Sequence, residues 1–159
     1  MSGDMADWFH ESRVVTHLQA ENAGAAITEL GMLLQEGGFV KESFVPAVIE
    51  RERGCATGLP TSQFGVAIPH TDCEHVLKRA VAVGILDRPV EFTEMASPGT
   101  TVQVSIVFLL AVPEPEGAVR LLQSLALMFE TPGVLEQLIR SRDASEIVNV
   151  IRRHCPGLD

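Results

Sequence analysis

The sequence predicts a three-layer α/β/α domain around a central mixed β-sheet, and three observations carry that prediction. Short apolar runs at 65–68, 80–86 and 101–112 alternate with stretches of helical periodicity, which argues for strands interleaved with helices. The run at 101–112 starts with alternation at Val102, Val104 and Ile106 and then becomes continuously apolar, as a strand buried on both faces requires. At 159 residues and 46% hydrophobic content the chain is large enough for one sizeable core. A single domain over 1–159 is therefore expected, with a loose N-terminal segment of about 1–7.

Each element has its own signal. Trp8 and Phe9 either pack or belong to a short strand region that runs to Leu18. Asn22 is an N-cap for a helix with Ile27, Leu30 and Leu34 on one face, closed by Gly37-Gly38. Ser43 can cap a second helix with Phe44, Val45, Val48 and Ile49 on one face. Arg51 and Arg53 fall in its final turn, where the helix dipole favours cations. A loop at 54–64 leads into the strand at 65–68, and Pro69 ends that strand because it fixes φ and lacks a donor.

Strands at 80–86 and 90–92 follow, then the central strand, which Pro113 and Pro115 terminate. A helix over about 117–130 is apolar nearly all round, through Val119, Leu122, Ala126 and Phe129, and is expected to be heavily buried. Thr131-Pro132 reads as an N-cap with proline at the first helical position, before a buried face of Val134, Leu135, Leu138 and Ile139. Asp143 with Glu146 resembles a capping box ahead of Ile147, Val148 and Ile151. There are no repeats and no low-complexity segments.

Charge and cysteine usage narrow the function. Twelve basic against twenty-one acidic residues give a net charge of −9, which disfavours nucleic acid and anionic membrane surfaces. Cys55, Cys73 and Cys155 are odd in number and irregularly spaced, as expected of free thiols in a reducing cytosol. The N-terminus carries no secretory pattern. The longest apolar stretch, 102–112, contains Gln103 and Ser105 and is too short to span a bilayer. A soluble, cytoplasmic protein is expected, so that any transport role needs a separate membrane partner.

The chemistry concentrates at His70, delivered at the exit of the strand that Pro69 stops and followed by the polar cluster Thr71-Asp72-Cys73-Glu74-His75. A neutral imidazole is a competent nucleophile near pH 7. The glycine- and proline-bearing loop can fold Arg51 and Arg53 back beside it. An arginine there keeps the imidazole neutral and presents a planar fork suited to a phosphoryl group. Thr71 and His75 are further candidate assisting groups, and the backbone N–H groups around Thr71 and Asp72 are expected to face the imidazole. Leu59, Phe64 and Val119 are candidates for an apolar rim around a shallow depression. The spacing of His70, Cys73 and His75 also admits a metal-binding reading, although a closed structural site needs a fourth ligand. A hydrolase built on Cys73 would lack an oxyanion loop.

Three segments together make a specific resemblance. Val48-Ile49-Glu50-Arg51-Glu52-Arg53, Thr57-Gly58-Leu59-Pro60-Thr61 and Ala67-Ile68-Pro69-His70 resemble the enzyme IIA domain of the bacterial sugar phosphotransferase system (PTS), in its fructose/mannitol class. Gly58-Leu59-Pro60-Thr61, and His70 followed by Thr71-Asp72-Cys73 and His75, are most similar to the galactitol branch. The resemblance spans about 22–154. It implies that His70 accepts a phosphoryl group on Nε2 from the phosphocarrier HPr and passes it to a cysteine of a cognate IIB domain. IIB then phosphorylates a sugar or sugar alcohol that a membrane IIC component imports. Arg51 matches the family's active-site arginine, and neither cofactor nor metal is implied.

Mannitol- and fructose-type members carry a second histidine at the start of the helix after the long central strand. Here that segment reads Glu116-Gly117-Ala118-Val119, and the galactitol branch also lacks the histidine. His75 is then the nearest candidate in sequence to assist His70. A regulatory enzyme IIA-like protein of the nitrogen-related branch would use the same residues toward other partners. The identity of the sugar is not written in this chain, because sugar contacts belong to the membrane component.

Overall fold

A computed structural model of the chain describes residues 8–155 and 158, so the expected loose segment 1–7 lies outside the described residues. The strands are β1 (Val14–Leu18), β2 (Gly58–Leu59), β3 (Gly65–Ala67), β4 (Ala80–Glu94) and β5 (Ser97–Ala111). The helices are α1 (Ala23–Glu36), α2 (Phe44–Gly54), α3 (Pro115–Glu130), α4 (Val134–Arg140) and α5 (Ala144–His154). Short 3-10 turns occupy Glu11–Arg13 and Cys73–His75.

The long antiparallel β4–β5 hairpin is the axis of the sheet. β1 runs parallel on the outer side of β4, and β3 runs parallel to β5. β2 pairs antiparallel with β3 and also meets the far end of β4 at Gly58–Glu94. The sheet is therefore mixed, and the hairpin tip folds over β2. Alternation along the hairpin divides the core in two. Val81, Val83, Ile85, Ile106, Phe108 and Leu110 pack against α3, α4 and α5. Ala80, Ala82, Val107, Leu109 and Ala111 face α1 and α2 through Ile27, Leu30, Leu34, Phe44 and Val48. Three layers result, as the sequence predicts.

Several local expectations hold. The Asn22 side chain accepts from the Ala25 N–H at 2.8 Å and starts α1, and Asp143 accepts from the Glu146 N–H at 3.0 Å and starts α5. Trp8 and Phe9 are buried in the core beside α5 and precede the first strand, which begins only at Val14.

Others are corrected. The two strands expected at 80–86 and 90–92 are one strand, with a register irregularity between Ile85 and Val90. The fixed φ of Pro89 suits extended backbone, so Asp87-Arg88-Pro89 loses the ladder but not the strand direction. Thr131 does not start α4. It closes α3, with its Oγ1 donating to the Leu127 carbonyl at 2.9 Å, and Gly133 at φ 83° occupies the cap of α4. Ser43 makes no capping hydrogen bond to α2, because its hydroxyl is used by His75. Finally, α3 is buried on one face only. Gly117, Leu121, Leu125, Met128 and Phe129 face the core, whereas Val119 and Leu127 are 56% and 54% exposed.

The junction between β2 and the hairpin tip is close-packed. A Cβ on Gly58 would lie 2.6 Å from the Thr93 carbonyl oxygen and 3.1 Å from the Phe92 Cβ. Backbone cannot yield there as a flexible side chain would. Gly58→Ala is expected to destabilise the fold by about 1–3 kcal/mol, the usual cost of overpacking. Urea unfolding measures it, and an unchanged midpoint would show that the tip is not held against β2.

Candidate functional site

The path of the chain fixes His70 before any side chain is considered. Ala67 stands opposite Val107 on β5, and beyond the strand the Pro69 carbonyl accepts from the Leu110 N–H at 3.0 Å. On the other side, the Ile68 N–H donates to the Thr57 carbonyl at 3.4 Å. His70 thus leaves a segment tied on both edges. Its Nδ1 lies 2.8 Å from the Ile68 carbonyl oxygen. A carbonyl only accepts, so Nδ1 carries the proton, and in the neutral ring the lone pair sits on Nε2.

The surroundings keep that ring neutral. Burial lowers the His70 pKa most, and the Arg51 charge lowers it further; the Ile68 carbonyl and the Asp72 charge oppose them, and the net shift is downward from 6.5. Arg51, from the last turn of α2, places Nη1 3.6 Å from Asp72 Oδ1. Arg51, Arg53 and His70 line one open depression of about 450 Å³. Cys55 and Thr57 lie on its α2 side, and Thr93, Glu94, Met95, Ala96 and Pro98 of the hairpin tip form the opposite wall. Imidazole and guanidinium therefore line the same open surface.

The remaining candidates divide. Arg53 lines the depression, with its guanidinium 3.1 Å from Glu50. Thr71 is half-buried directly after His70. The Nδ1 of His75 pairs with the Ser43 hydroxyl at 2.8 Å and its Nε2 lies 3.8 Å from Glu74, so the ring ties the turn after His70 to the start of α2. Among the described residues no group of three His, Cys, Asp or Glu side chains converges as a metal requires, so His70, Cys73 and His75 are not assembled as ligands. Burial pushes the Cys155 thiol up to about 12, which makes it unreactive.

Leu59 and Phe64, proposed for the rim, are half-buried and pack against the core on the α3 side, whereas Val119 is exposed on α3. The wall of the depression comes instead from the hairpin tip, which reading the sequence missed. The tip reaches the site through β2, where Gly58 pairs with Glu94 and its carbonyl accepts from the Met95 N–H. Asp72 was legible only as part of the polar cluster. Glu52, whose carboxylate holds Thr57, stood in the sequence only as part of the segment 48–53 that carries the resemblance.

Comparison with known proteins bears on the family and the fold. The family described as "Phosphoenolpyruvate-dependent sugar phosphotransferase system, EIIA 2" matches residues 7–154. The galactitol-specific EIIA component of the PTS of Escherichia coli K12 is 30% identical over 113 residues, covering 71% of this chain and 75% of that protein. The nitrogen regulatory protein of Bradyrhizobium diazoefficiens is 28% identical over 141 residues, 87% of this chain and 88% of that one. The transcriptional regulator ManR of Bacillus subtilis is 27% identical over 124 residues, 77% of this chain but only 18% of its own length. Among solved structures, the complex of enzyme IIA and phosphorylated enzyme IIB for mannitol from Escherichia coli superposes with a TM-score of 0.76 at 22% identity, covering 91% of this chain and 97% of that one. No helix among the described residues is long and apolar enough to cross a membrane.

The lowered His70 pKa has a consequence for stability. Protons bind the unfolded chain more readily than the folded one between the folded value and 6.5, so stability is fully present above pH 6.5 and falls as pH drops toward the folded value. His70→Gln is expected to flatten that part of the pH–stability curve, as measured by urea unfolding. Asp72→Asn should lower the His70 titration midpoint further, and Arg51→Gln should raise it, as followed by ring NMR shifts. The opposite signs would show that these charges do not face the imidazole.

Proposed function

The chain belongs to the EIIA 2 family of the phosphoenolpyruvate-dependent sugar phosphotransferase system, and from that premise we propose that it is a phosphocarrier whose acceptor is His70 Nε2. The donor is phosphorylated HPr, and the recipient is a cysteine of a cognate IIB domain. The observation that carries this reading is the Nδ1–H to Ile68 carbonyl hydrogen bond, which leaves Nε2 unprotonated beside Arg51.

The chemistry follows from the geometry. The Nε2 lone pair attacks phosphorus as the donor's P–N bond breaks, and the donor ring leaves with that electron pair. The phosphorylated ring keeps its proton on Nδ1 and gains positive charge, which the Ile68 carbonyl stabilises. Arg51 offers its guanidinium to the phosphoryl oxygens, and because phosphoryl transfer asks mainly for positioning and charge stabilisation, little more is needed. Asp72 competes for the same guanidinium and discourages the phosphoryl group from settling. A thiolate of IIB then attacks phosphorus, the P–Nε2 bond breaks, and the ring recovers its lone pair. Metal and nucleotide have no role in these steps.

The likeness to a galactitol-specific component favours import of galactitol or a similar sugar alcohol, with a IIC protein in the membrane and this chain in the cytoplasm. A second reading has its own support. A nitrogen regulatory protein aligns over more of this chain than the galactitol component does, which favours a protein that takes the phosphoryl group but controls other proteins. Incubating the phosphorylated chain with IIB of the same genome discriminates the two. Loss of phosphate to IIB supports transport, and retention supports regulation.

Phosphorylated HPr should load one acid-labile phosphate per chain, and His70→Ala and His70→Gln should load none while remaining folded. Arg51→Lys should slow loading by about 10- to 100-fold, since loss of one charge-assisted contact costs about 1.5–3 kcal/mol. Loading of His70→Gln would remove His70 as the acceptor. An unslowed Arg51→Lys, with Arg53→Lys impaired, would assign the phosphoryl contact to Arg53.

A further inference from the structure

The last turn of α2 sends Arg51 to the depression and the next residue, Glu52, inward. Both Glu52 carboxylate oxygens are taken by a single residue. Oε2 accepts from the Thr57 N–H at 2.8 Å and Oε1 from the Thr57 hydroxyl at 2.9 Å. Thr57 is itself buried, and its carbonyl accepts from the Ile68 N–H at 3.4 Å. The Ile68 carbonyl accepts from His70 Nδ1 at 2.8 Å. A continuous line of hydrogen bonds therefore runs from the Glu52 carboxylate through Thr57 and Ile68 to the reactive ring. The next peptide extends it to the opposite wall, since the Gly58 carbonyl accepts from the Met95 N–H at 2.8 Å.

We propose that Glu52 is a positioning residue for His70 and Arg51, holding the protonated-Nδ1 ring and the spacing between guanidinium and imidazole through Thr57. The end of α2 does not need Glu52 for its own closure, because the Cys55 N–H already returns to the Arg51 carbonyl. Burial works against the Glu52 charge and raises its pKa, while the two bonds from Thr57 oppose that rise. Such an arrangement fits a carboxylate whose role is geometric, because two donors on two oxygens fix Thr57 in both position and direction. Glu52 follows Arg51 on one rigid turn, so the grip on Thr57 also sets how far the guanidinium stands from β3. Transition-state stabilisation by a fixed charge depends steeply on such placement. Glu52 does not touch the transferred group.

This inference rests on the phosphocarrier reading for its effect on rate but not for its effect on the ring, and the experiment separates the two. Long-range proton–nitrogen NMR of the ¹⁵N-labelled full chain reports which His70 nitrogen carries the proton, without any partner. The wild type should show protonated Nδ1. Glu52→Ala, and Thr57→Val, which removes one donor, should shift the ring toward mixed tautomers. They should also slow loading from phosphorylated HPr at least tenfold per folded molecule. Thr57→Ser, which keeps both donors, should retain the wild-type ring and rate.

A folded Glu52→Ala with an unchanged tautomer and a rate within twofold would overturn the proposal, even if its melting temperature fell, because that is a structural role alone. Should Glu52→Ala fail to fold, Glu52→Gln, with one acceptor in place of two, and the Thr57 pair decide the matter by the same two readouts. A wild type that shows protonated Nδ1 but takes no phosphate from HPr would refute the phosphocarrier reading and leave the Glu52 assignment to be decided by the tautomer.

Discussion

A hydrogen bond between a ring nitrogen and the carbonyl two residues earlier, His70 Nδ1 to Ile68, holds the site together. It selects one tautomer of an uncharged imidazole and turns the other nitrogen outward. The backbone on either side of the Ile68 carbonyl is hydrogen-bonded. The preceding peptide donates its Ile68 N–H to the Thr57 carbonyl, and the following one accepts from the Leu110 N–H of β5 at the Pro69 carbonyl. Pro69 contributes twice: it ends the β3 ladder and leaves its carbonyl to continue the pairing with β5. The imidazole is thus positioned by backbone.

The two-sided core explains how the cation comes to the same place. One face of the β4–β5 hairpin carries small residues, Ala80, Ala82, Gly84 and Ala111, toward α1 and α2. A Cβ on Gly84 would lie 2.6 Å from a Leu18 methyl, so the sheet admits close approach there only because that atom is missing. α2 packs beside α1 over this face and ends level with the His70 exit, delivering Arg51. The other face, with Phe108 and Phe129 rings 5.4 Å apart, carries the bulk that anchors the hairpin, whose tip is paired with β2 at Gly58. Architecture and chemistry meet in the segment 57–59, which touches α2, β3 and the tip at once.

Much of this was legible in the sequence, because the signals were local. Strand periods, the Asn22 and Asp143 caps, and Pro69 before His70 are short-range patterns, and they placed the layers correctly and set His70 at the exit of β3. Ser43 and Thr131 misled for a shared reason. Both residue types cap helices, but a hydroxyl takes whichever partner the tertiary fold brings nearest, and here these were His75 and the Leu127 carbonyl. The apolar circumference of α3 suggested full burial, yet a helix at the edge of three layers has only one inner face, and Val119 and Leu127 are left outside. Glu52 and Thr57 stood only within the segments that carry the resemblance, with no role read for either, and the hairpin tip gave no sign, since it is the pairing of β2 with β4 at Gly58 that brings it to the site.

The most direct measurement is the position of phosphorus on the imidazole. One-bond coupling between ³¹P and ¹⁵N, recorded on the labelled chain after loading from phosphorylated HPr, reports the bonded atom without any mutation. Coupling to Nε2 of His70, with the Nδ1 proton still present, is the expected result. Coupling to Nδ1, or phosphorus on any residue other than His70, would contradict the assignment of Nε2 as the acceptor and of the Ile68 carbonyl as the group that exposes it.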